Sequence, residues 1–179
     1  MLQSDDSMVA TIESVATVCT EALRRRNKVL FAGNGGSAAD AQHLAAELVG
    51  KLVFDRPGLP SIALNTDTSI LTAIGNDYGY DQVFSRQVDA IGTAGDVFIG
   101  ISTSGRSRNL VKALERARAR GIVTVGLTGA TGGDMLALCD HCIRIPSTET
   151  QKIQEGHIVV GHIFCAIIER RMFGSEAGA

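Results

Sequence analysis

One stretch near the beginning of the chain restricts the possible folds more than any other, because it combines a strand, a glycine-rich turn and a helix. The strand is the short apolar run Val29–Ala32, which is typical of a strand covered on both faces. Gly33, Gly35 and Gly36 follow, and they can adopt positive φ and let a ligand approach the backbone. Ser37 then stands at the predicted N-cap of the helix, whose free N–H groups favour an anion such as a phosphate. Residues 33–37, the glycine turn, are therefore a candidate anion site.

The helix after this turn carries a second signal, a histidine and a glutamate four residues apart. At this spacing His43 and Glu47 project from the same face of the helix. Such a pair can hold a metal ion or combine a base with an acid, but it can equally be an ordinary surface ion pair. The local pattern leaves these interpretations open.

The glycine turn also satisfies the loose fingerprint of a dinucleotide-binding fold, Gly33-x-Gly35-x-x-Ala38. That fingerprint requires an acidic residue about 20 positions later, at the end of the next strand. Asp55 has roughly this spacing, but it lies in a predicted turn over residues 55–58. A dinucleotide site is therefore disfavoured.

The rest of the chain alternates strands with helices. Strands are predicted over residues 28–33, 61–65, 97–101, 122–127 and 142–145. Helices are predicted over residues 4–26, 38–52, 67–74, 81–91, 135–139 and 151–173, with one more that ends at Gly121 and a break over Gly75–Gly79. This alternation predicts a single α/β domain over residues 1–179, with a parallel sheet whose ligand site lies beyond the carboxyl ends of the strands.

Composition argues against several classes of partner. The formal net charge is −2, and aromatic residues make up 4% of the chain with no Trp, so a nucleic-acid partner is not expected. The N-terminus lacks the pattern of a signal peptide, and no segment is long and apolar enough to cross a bilayer, so a membrane partner is not expected either. A cytoplasmic location with reduced cysteines is predicted.

A second candidate anion site follows the strand over residues 97–101. Four hydroxyl groups surround Gly105 there, those of Ser102, Thr103, Ser104 and Ser107. Hydroxyl groups and the N–H groups of a helix start can surround a phosphate monoester without a lysine. Ordinary N-capping needs only one such residue, so a phosphate site is the favoured interpretation of this serine loop, residues 102–107.

Cys139 and Cys142 have the spacing of a zinc or redox pair. A structural zinc site requires a second pair, which the sequence lacks. A redox pair normally begins a helix, whereas this one ends a short predicted helix. Thiols buried in the core are therefore expected.

The long C-terminal helix carries Gln154, His157 and His162. On an ideal helix Gln154 and His162 are about 80° apart around the axis and about 12 Å apart along it. One ligand can contact both only if the two side chains lean towards each other or come from different subunits. His157 lies about 140° from His162 and is expected to point elsewhere.

Together these motifs resemble the bacterial phosphoheptose isomerases, which belong to the sugar isomerase (SIS) domain superfamily. The resemblance spans residues 5–173 in one register. It is carried by Gly33–Ser37 with His43 and Glu47, by Gly75–Gly79, by Ser102–Ser107, and by Ile153–His157 ahead of His162. The resemblance implies a three-layer α/β sandwich with a five-stranded parallel sheet of flavodoxin-like topology, preceded by an N-terminal helix. It also implies a homotetramer with active sites at subunit interfaces.

The resemblance further implies a reaction and its site. Sedoheptulose 7-phosphate is converted into D-glycero-D-manno-heptose 7-phosphate, an early step towards the heptose of lipopolysaccharide core or capsule. One zinc ion per subunit would be held by His43, Glu47, Gln154 and His162. The sugar phosphate would be lined by Asn34, Gly35, Gly36, Ser37, Glu47, Asn76, Asp77, Ser102, Thr103, Ser104, Ser107 and Gln154. Glu47 is the candidate carbon base, and His162 is the acid/base partner for the oxygens.

The competing hypothesis is a non-catalytic SIS-domain regulator that binds a replication initiator protein or a sugar phosphate. Such a regulator does not need the zinc ligands, whereas all four are present here. Two positions depart from the family pattern: Lys51 stands where relatives often carry Arg, and Gln151 where they often carry Asp. The isomerase remains the favoured hypothesis.

Overall fold

The computed structural model describes residues 6–174, which form a five-stranded parallel sheet between two layers of helices. The strands are β1 (Val29–Gly33), β2 (Ser61–Ala63), β3 (Val97–Ser102), β4 (Val123–Thr128) and β5 (His141–Arg144). Their order in the sheet is β2-β1-β3-β4-β5, and every neighbouring pair is parallel. This is the flavodoxin-like order, so the predicted fold class is confirmed.

Six α-helices flank the sheet within residues 6–174. They are α1 (Asp6–Arg24), α2 (Gly36–Val49), α3 (Thr68–Tyr78), α4 (Ser85–Ile91), α5 (Arg108–Ala119) and α6 (Thr150–Phe173), with 3₁₀ turns at Tyr80–Gln82 and Gly133–Leu138. Helices α1, α2 and α6 cover one face of the sheet, while α4 and α5 cover the other. Because both faces are covered, β1 and β3 are buried at every residue. None of the described helices combines the length and the apolar character needed to cross a bilayer.

The two predicted anion sites lie at the place where the strand order reverses. The chain leaves β1 for β2 on one side, and β3 pairs with β1 on the other. In doubly wound sheets ligands bind beyond the carboxyl ends of the strands at such a point. The glycine turn follows β1 and the serine loop follows β3, and the register pairs Gly33 with Ile101. The fold therefore brings the two loops side by side.

The predicted break at Gly75–Gly79 is wrong, because α3 continues to Tyr78. The carboxylate of Asp67 accepts a hydrogen bond from the N–H of Ile70 and so caps the start of this helix. Turn-favouring residues are tolerated on its exposed surface, and the helix ends only at Gly79, whose φ is +85°. The predicted helix over residues 81–91 is likewise shorter, since the 3₁₀ turn and the buried pair Val83–Phe84 precede α4.

Ser37 is not the N-cap that the sequence predicts. Helix α2 begins at Gly36, and Gly35, with φ +57°, takes the N-cap position without a side-chain hydrogen bond. Ser37 is buried in the first turn of α2. A Cβ on Gly33 would lie 2.3 Å from the carbonyl oxygen of Ser37. The close approach of Gly33 to this turn therefore sets where the helix starts.

Helices α2 and α6 run parallel and in close contact. A Cβ on Gly36 would lie 2.4 Å from Nε2 of Gln154, and a Cβ on Gly161 would lie 2.5 Å from Cδ2 of Leu44. The earlier residue of α2 thus contacts the earlier residue of α6, and the later residue of α2 contacts the later residue of α6, as in a parallel pair. Since glycine allows this approach, the outward faces of α2 and α6 lie side by side.

The expectation of core thiols is met only in part by Cys139 and Cys142, of which Cys139 packs against the hydrophobic core. Both are half-buried, in contrast to the buried Cys19 and Cys165. Cys142 lies on β5, the last strand of the sheet, which no further strand covers, and Cys139 lies in the segment just before it.

Candidate active site

Three of the four predicted metal ligands come together in one chain. Nε2 of His43 lies 2.8 Å from Nε2 of His162 and 3.1 Å from Oε1 of Glu47. One ligand atom from each of the three residues lies within 4.8 Å of the others. His43 and Glu47 belong to α2 and His162 to α6, so the parallel packing of these helices forms the cluster. An ordinary surface ion pair on α2 does not account for the third residue.

These donor atoms fit a metal ion such as zinc. Zinc is bound by imidazole nitrogen and carboxylate oxygen at about 2.0–2.2 Å, usually in tetrahedral geometry. Two ligand atoms at those distances are roughly 3.4 Å apart, which is close to the separations of 2.8 and 3.1 Å in the cluster. The side chain of His43 is 46% exposed, so the cluster is open to solvent.

Gln154 lies at the other end of the helix pair. Its amide is packed against Gly36 at the start of α2. His43 is seven residues further along α2, a distance of about 10 Å along the helix axis. The single chain therefore places the Gln154 amide beside the glycine turn and not in the cluster of His43, Glu47 and His162.

The side chain of Asn34 is held within the protein. It forms two reciprocal hydrogen bonds with the amide of Asn109, of 3.0 and 2.9 Å. The hydroxyl group of Tyr80 also donates to Oδ1 of Asn34 at 3.2 Å. Among the residues of the glycine turn that are predicted to line the sugar phosphate, Gly35 and Gly36 are exposed. The part of the glycine turn open to a ligand is therefore its backbone.

The serine loop is closely packed against its neighbours. The hydroxyl groups of Ser102 and Ser107 are 3.0 Å apart, and Oγ of Ser104 accepts a hydrogen bond of 3.2 Å from the N–H of Arg106. Ser102 is buried, Thr103 and Ser107 are half-buried, and Ser104 is exposed. Gly105 has φ +64°, and a Cβ there would lie 2.0 Å from the carbonyl oxygen of Gly132. The loop is thus held in one shape with its hydroxyl groups close together.

Asn76 and Asp77 lie on the last turn of α3. Both are exposed, and the Asn76 amide donates to the Asp77 carboxylate at 2.8 Å. The segment that follows reaches the site, since Tyr80 contacts Asn34. Helix α3 therefore ends near the glycine turn.

Sequence reasoning missed a buried ion pair behind the cluster. Nε of Arg56 lies 3.0 Å from Oε1 of Glu169, and the two side chains are 2% and 1% exposed. The same guanidinium group donates to the backbone carbonyl groups of Glu47 and Leu48, at 2.8 and 2.7 Å. Arg56 and Glu169 are 113 residues apart, so no local pattern could have indicated the pair.

Asp40 is a second residue that the sequence did not indicate. It lies on α2 one turn before His43, and its Oδ2 is buried without a hydrogen-bond partner among residues 6–174. Burial raises the pKa of Asp40, an effect that the nearby His43 partly offsets. A buried acceptor of this kind is a candidate contact for a hydroxyl group of a ligand.

His157 points away from the cluster, as helix geometry predicts. It is fully buried, and its Nε2 lies 3.1 Å from the carbonyl oxygen of Thr128. Burial lowers the pKa of His157 to about 4, although the hydrogen bond to Thr128 acts in the opposite direction. The residue therefore belongs to the core.

This lowered pKa predicts a pH-dependent stability. Between pH 6.5 and pH 4 the unfolded His157 binds a proton and the folded one does not. The free energy of unfolding is therefore expected to fall as the pH falls, by up to about 1.4 kcal/mol per pH unit. Urea unfolding at several pH values measures this slope. His157→Gln, which cannot titrate, is expected to flatten it, and an unchanged slope in that variant would contradict the prediction.

Comparisons with known proteins show one family and one fold. The SIS domain family model matches residues 3–129. A phosphoheptose isomerase of Aneurinibacillus thermoaerophilus is 62% identical, over 97% of this chain and 87% of its own length. The solved phosphoheptose isomerase of Neisseria gonorrhoeae has a TM-score of 0.86 at 46% identity, and that of Francisella tularensis 0.87 at 37%. Each of these two comparisons covers 90% of this chain and 86% of the solved chain.

Proposed function

Because this chain belongs to the phosphoheptose isomerases of the SIS domain family, we propose that it converts D-sedoheptulose 7-phosphate into D-glycero-D-manno-heptose 7-phosphate. Aldose–ketose isomerisation of a sugar phosphate in the heptose pathway follows from the family. The proposal adds the seven-carbon substrate and product, which would supply heptose for lipopolysaccharide core or capsule. The observation that carries it is the cluster of His43, Glu47 and His162 on the helix pair that begins at the glycine turn.

The reaction moves one proton between carbons and one between oxygens. In the proposal the carboxylate of Glu47 takes a proton from C1 and returns it to C2, with an enediol in between. The imidazole of His162 moves a proton from the oxygen on C1 to the oxygen on C2. Zinc, when bound, supplies Lewis-acid polarisation of these oxygens.

Zinc is the proposed metal, with one ion per subunit. His43, Glu47 and His162 already converge, and Gln154 is proposed as the fourth ligand. Because its amide lies against Gly36 in the single chain, Gln154 must turn towards His162 or come from a neighbouring subunit. The chemistry of the donor atoms supports this choice, since zinc combines readily with imidazole and carboxylate ligands.

The sugar phosphate is proposed to lie across the glycine turn and the serine loop. The backbone of Gly35 and Gly36 and the start of α2 face the ligand, with Asn34 and Ser37 supporting the turn from within. The four hydroxyl groups of the serine loop hold the phosphate group. Asn76 and Asp77 contact the sugar from the end of α3.

Removal of one hydroxyl group from the serine loop tests the phosphate site. A hydrogen bond to a charged oxygen contributes about 1.5–3 kcal/mol, so Ser107→Ala is expected to raise KM roughly 10- to 150-fold. Ser14→Ala, which removes an exposed hydroxyl on α1 that only bonds its own helix backbone, is the matched control. Steady-state kinetics measures KM for the sugar phosphate in both variants. An unchanged KM in Ser107→Ala would place the phosphate elsewhere.

A homotetramer with sites at subunit interfaces is proposed on the basis of exposed apolar surface. Val159 and Ile163, which flank His162 on α6, are 44% and 41% exposed. Helix α3 has no buried residue in the single chain, and its Ile70 is 40% exposed. A second subunit would cover these side chains. Sedimentation equilibrium is expected to give four times the chain mass of 18.8 kDa, and a monomer mass would contradict the proposal.

The activity itself is tested by incubating the zinc-loaded protein with D-sedoheptulose 7-phosphate and following the aldose signals by NMR. Fructose 6-phosphate, a shorter ketose phosphate, is the matched comparison for chain length. Conversion of the seven-carbon sugar alone is expected. Absence of any conversion would refute the proposed reaction, and equal conversion of both sugars would refute the proposed substrate.

A further inference from the structure

Two of the four cysteines are placed for chemistry that the isomerase reaction does not use. Cys139 follows the 3₁₀ turn Gly133–Leu138, and Cys142 lies on β5 at the edge of the sheet. Both are free and half-buried, whereas Cys19 and Cys165 are 0% and 1% exposed. The chain therefore has two half-buried cysteines and two fully buried ones.

The sulfur atoms of Cys139 and Cys142 share one small space. A Cβ built on Gly126 of β4 would lie 2.8 Å from Sγ of Cys139 and 3.3 Å from Sγ of Cys142. Both sulfurs thus occupy the position that a side chain at residue 126 would fill. The hydroxyl group of Thr128 lies 3.6 Å from Sγ of Cys142. The backbone of β4 holds the two thiols next to each other.

The surroundings give the two thiols different reactivity. The neighbouring Cys139 thiol lowers the pKa of the Cys142 thiol to about 7 against the opposing effect of burial, with further lowering by Thr128 and Arg144. The neighbouring Cys142 and burial raise the pKa of the Cys139 thiol. A thiol whose pKa is near the ambient pH is the most effective attacking group in thiol–disulfide exchange. Cys142 has the character of the attacking thiol and Cys139 that of the resolving one.

The surface beside Cys142 can admit a small ligand. A cavity of about 360 Å³ is lined by both Cys139 and Cys142, together with Asp140, His141 and Arg144. Arg144 acts on Cys142 and offers its guanidinium group to a carboxylate of the ligand, while Asp140 lies on the Cys139 side of the same cavity. An anionic low-molecular-weight disulfide combines that charge with the bond that a thiolate attacks.

We propose that Cys139 and Cys142 form a thiol–disulfide exchange site for an anionic low-molecular-weight disulfide such as oxidised glutathione. The Cys142 thiolate attacks one sulfur of that disulfide and displaces one thiolate, which leaves a mixed disulfide. Cys139 then loses its proton and attacks the Cys142 sulfur, which displaces the second thiolate. The two protein thiols are oxidised to a disulfide, and the small disulfide is reduced to two thiols.

The test uses the full-length zinc-loaded protein with oxidised glutathione near pH 7. Thiol titration and intact mass are expected to show the loss of two thiols and two hydrogens per chain, both restored by dithiothreitol. Cys139→Ser is expected to stop at a stable glutathione adduct on Cys142. Cys142→Ser is expected to react at least about tenfold more slowly, since burial still raises the pKa of the remaining Cys139 thiol. Cys19→Ala, a substitution of a buried thiol, is the control and is expected to react as the wild type does.

Two results would overturn the proposal. One is a native wild-type protein that keeps all its thiols under conditions in which the urea-unfolded chain reacts. The other is a Cys142→Ser variant that reacts as fast as the wild type. Circular dichroism on each variant separates loss of reactivity from loss of the fold.

Discussion

Glu47→Gln is expected to lower kcat by at least about 10³-fold, because general-base catalysis alone contributes about 10²–10⁴. Glu47 is a member of the cluster with His43 and His162, and its carboxylate lies 3.1 Å from Nε2 of His43. Glutamine keeps the size of the side chain and an oxygen that can face a metal ion, but it cannot accept the carbon proton. The loss should therefore appear in kcat measured with D-sedoheptulose 7-phosphate.

The matched control is Glu21→Gln on α1. Glu21 and Arg25 form an exposed pair with the same four-residue spacing, at 3.9 Å. Exposed pairs contribute less than about 1 kcal/mol, so this variant is expected to keep wild-type activity. Turnover in Glu47→Gln equal to that of the control would mean that Glu47 is only a surface partner of His43.

Metal content gives an independent check of the same cluster. His43→Ala is expected to lower the zinc-to-protein ratio measured by mass spectrometry of the metal, with the fold intact by circular dichroism. His157→Gln should keep its zinc, because His157 is buried against Thr128. Full zinc occupancy in His43→Ala would remove that residue from the metal site.

Arg56→Met is expected to lower the free energy of unfolding by about 3–5 kcal/mol, since it leaves the carboxylate of Glu169 buried and unpaired. Burial alone would raise the pKa of Glu169, but hydrogen bonds from the N–H groups of Leu52 and Val53 and from Arg56 outweigh it and lower the pKa. The native state therefore holds this carboxylate charged. Urea unfolding at pH 7 measures the loss.

The same substitution should also weaken zinc binding. Arg56 holds the backbone carbonyl of Glu47 on α2, while Glu169 lies on α6 two turns after His162. The pair thus ties together the two helices that carry the metal ligands. Zinc titration of the folded variant by calorimetry is expected to show a raised Kd.

The exposed pair between Arg116 and Asp89 is the matched control for this second prediction. These side chains are 47% and 40% exposed and 2.6 Å apart. Arg116→Met is expected to cost less than about 1 kcal/mol and to leave zinc affinity unchanged. If Arg56→Met behaved like Arg116→Met in both measurements, the buried pair would have no part in holding α2 against α6.

The sequence by itself determined the local units of this protein. Apolar runs and turn residues predicted the five strands, because the backbone conformation of each depends on neighbouring residues. Glycine spacing predicted the turn after β1, and the four-residue spacing of His43 and Glu47 placed both on one face of α2. Recognition of the separate motifs as one family then predicted the sheet topology that the structure confirms.

Only the tertiary structure decided how distant residues meet. The contact of His43 with His162 depends on the close packing of Leu44 against Gly161, which no local spacing encodes. The same packing brings Gln154 against Gly36 and buries Arg56 with Glu169. Cys142 is accessible only because β5 is the edge strand. Spacing along the chain sets which side chains share a face, but the neighbour that each face meets is set by how helices and strands pack.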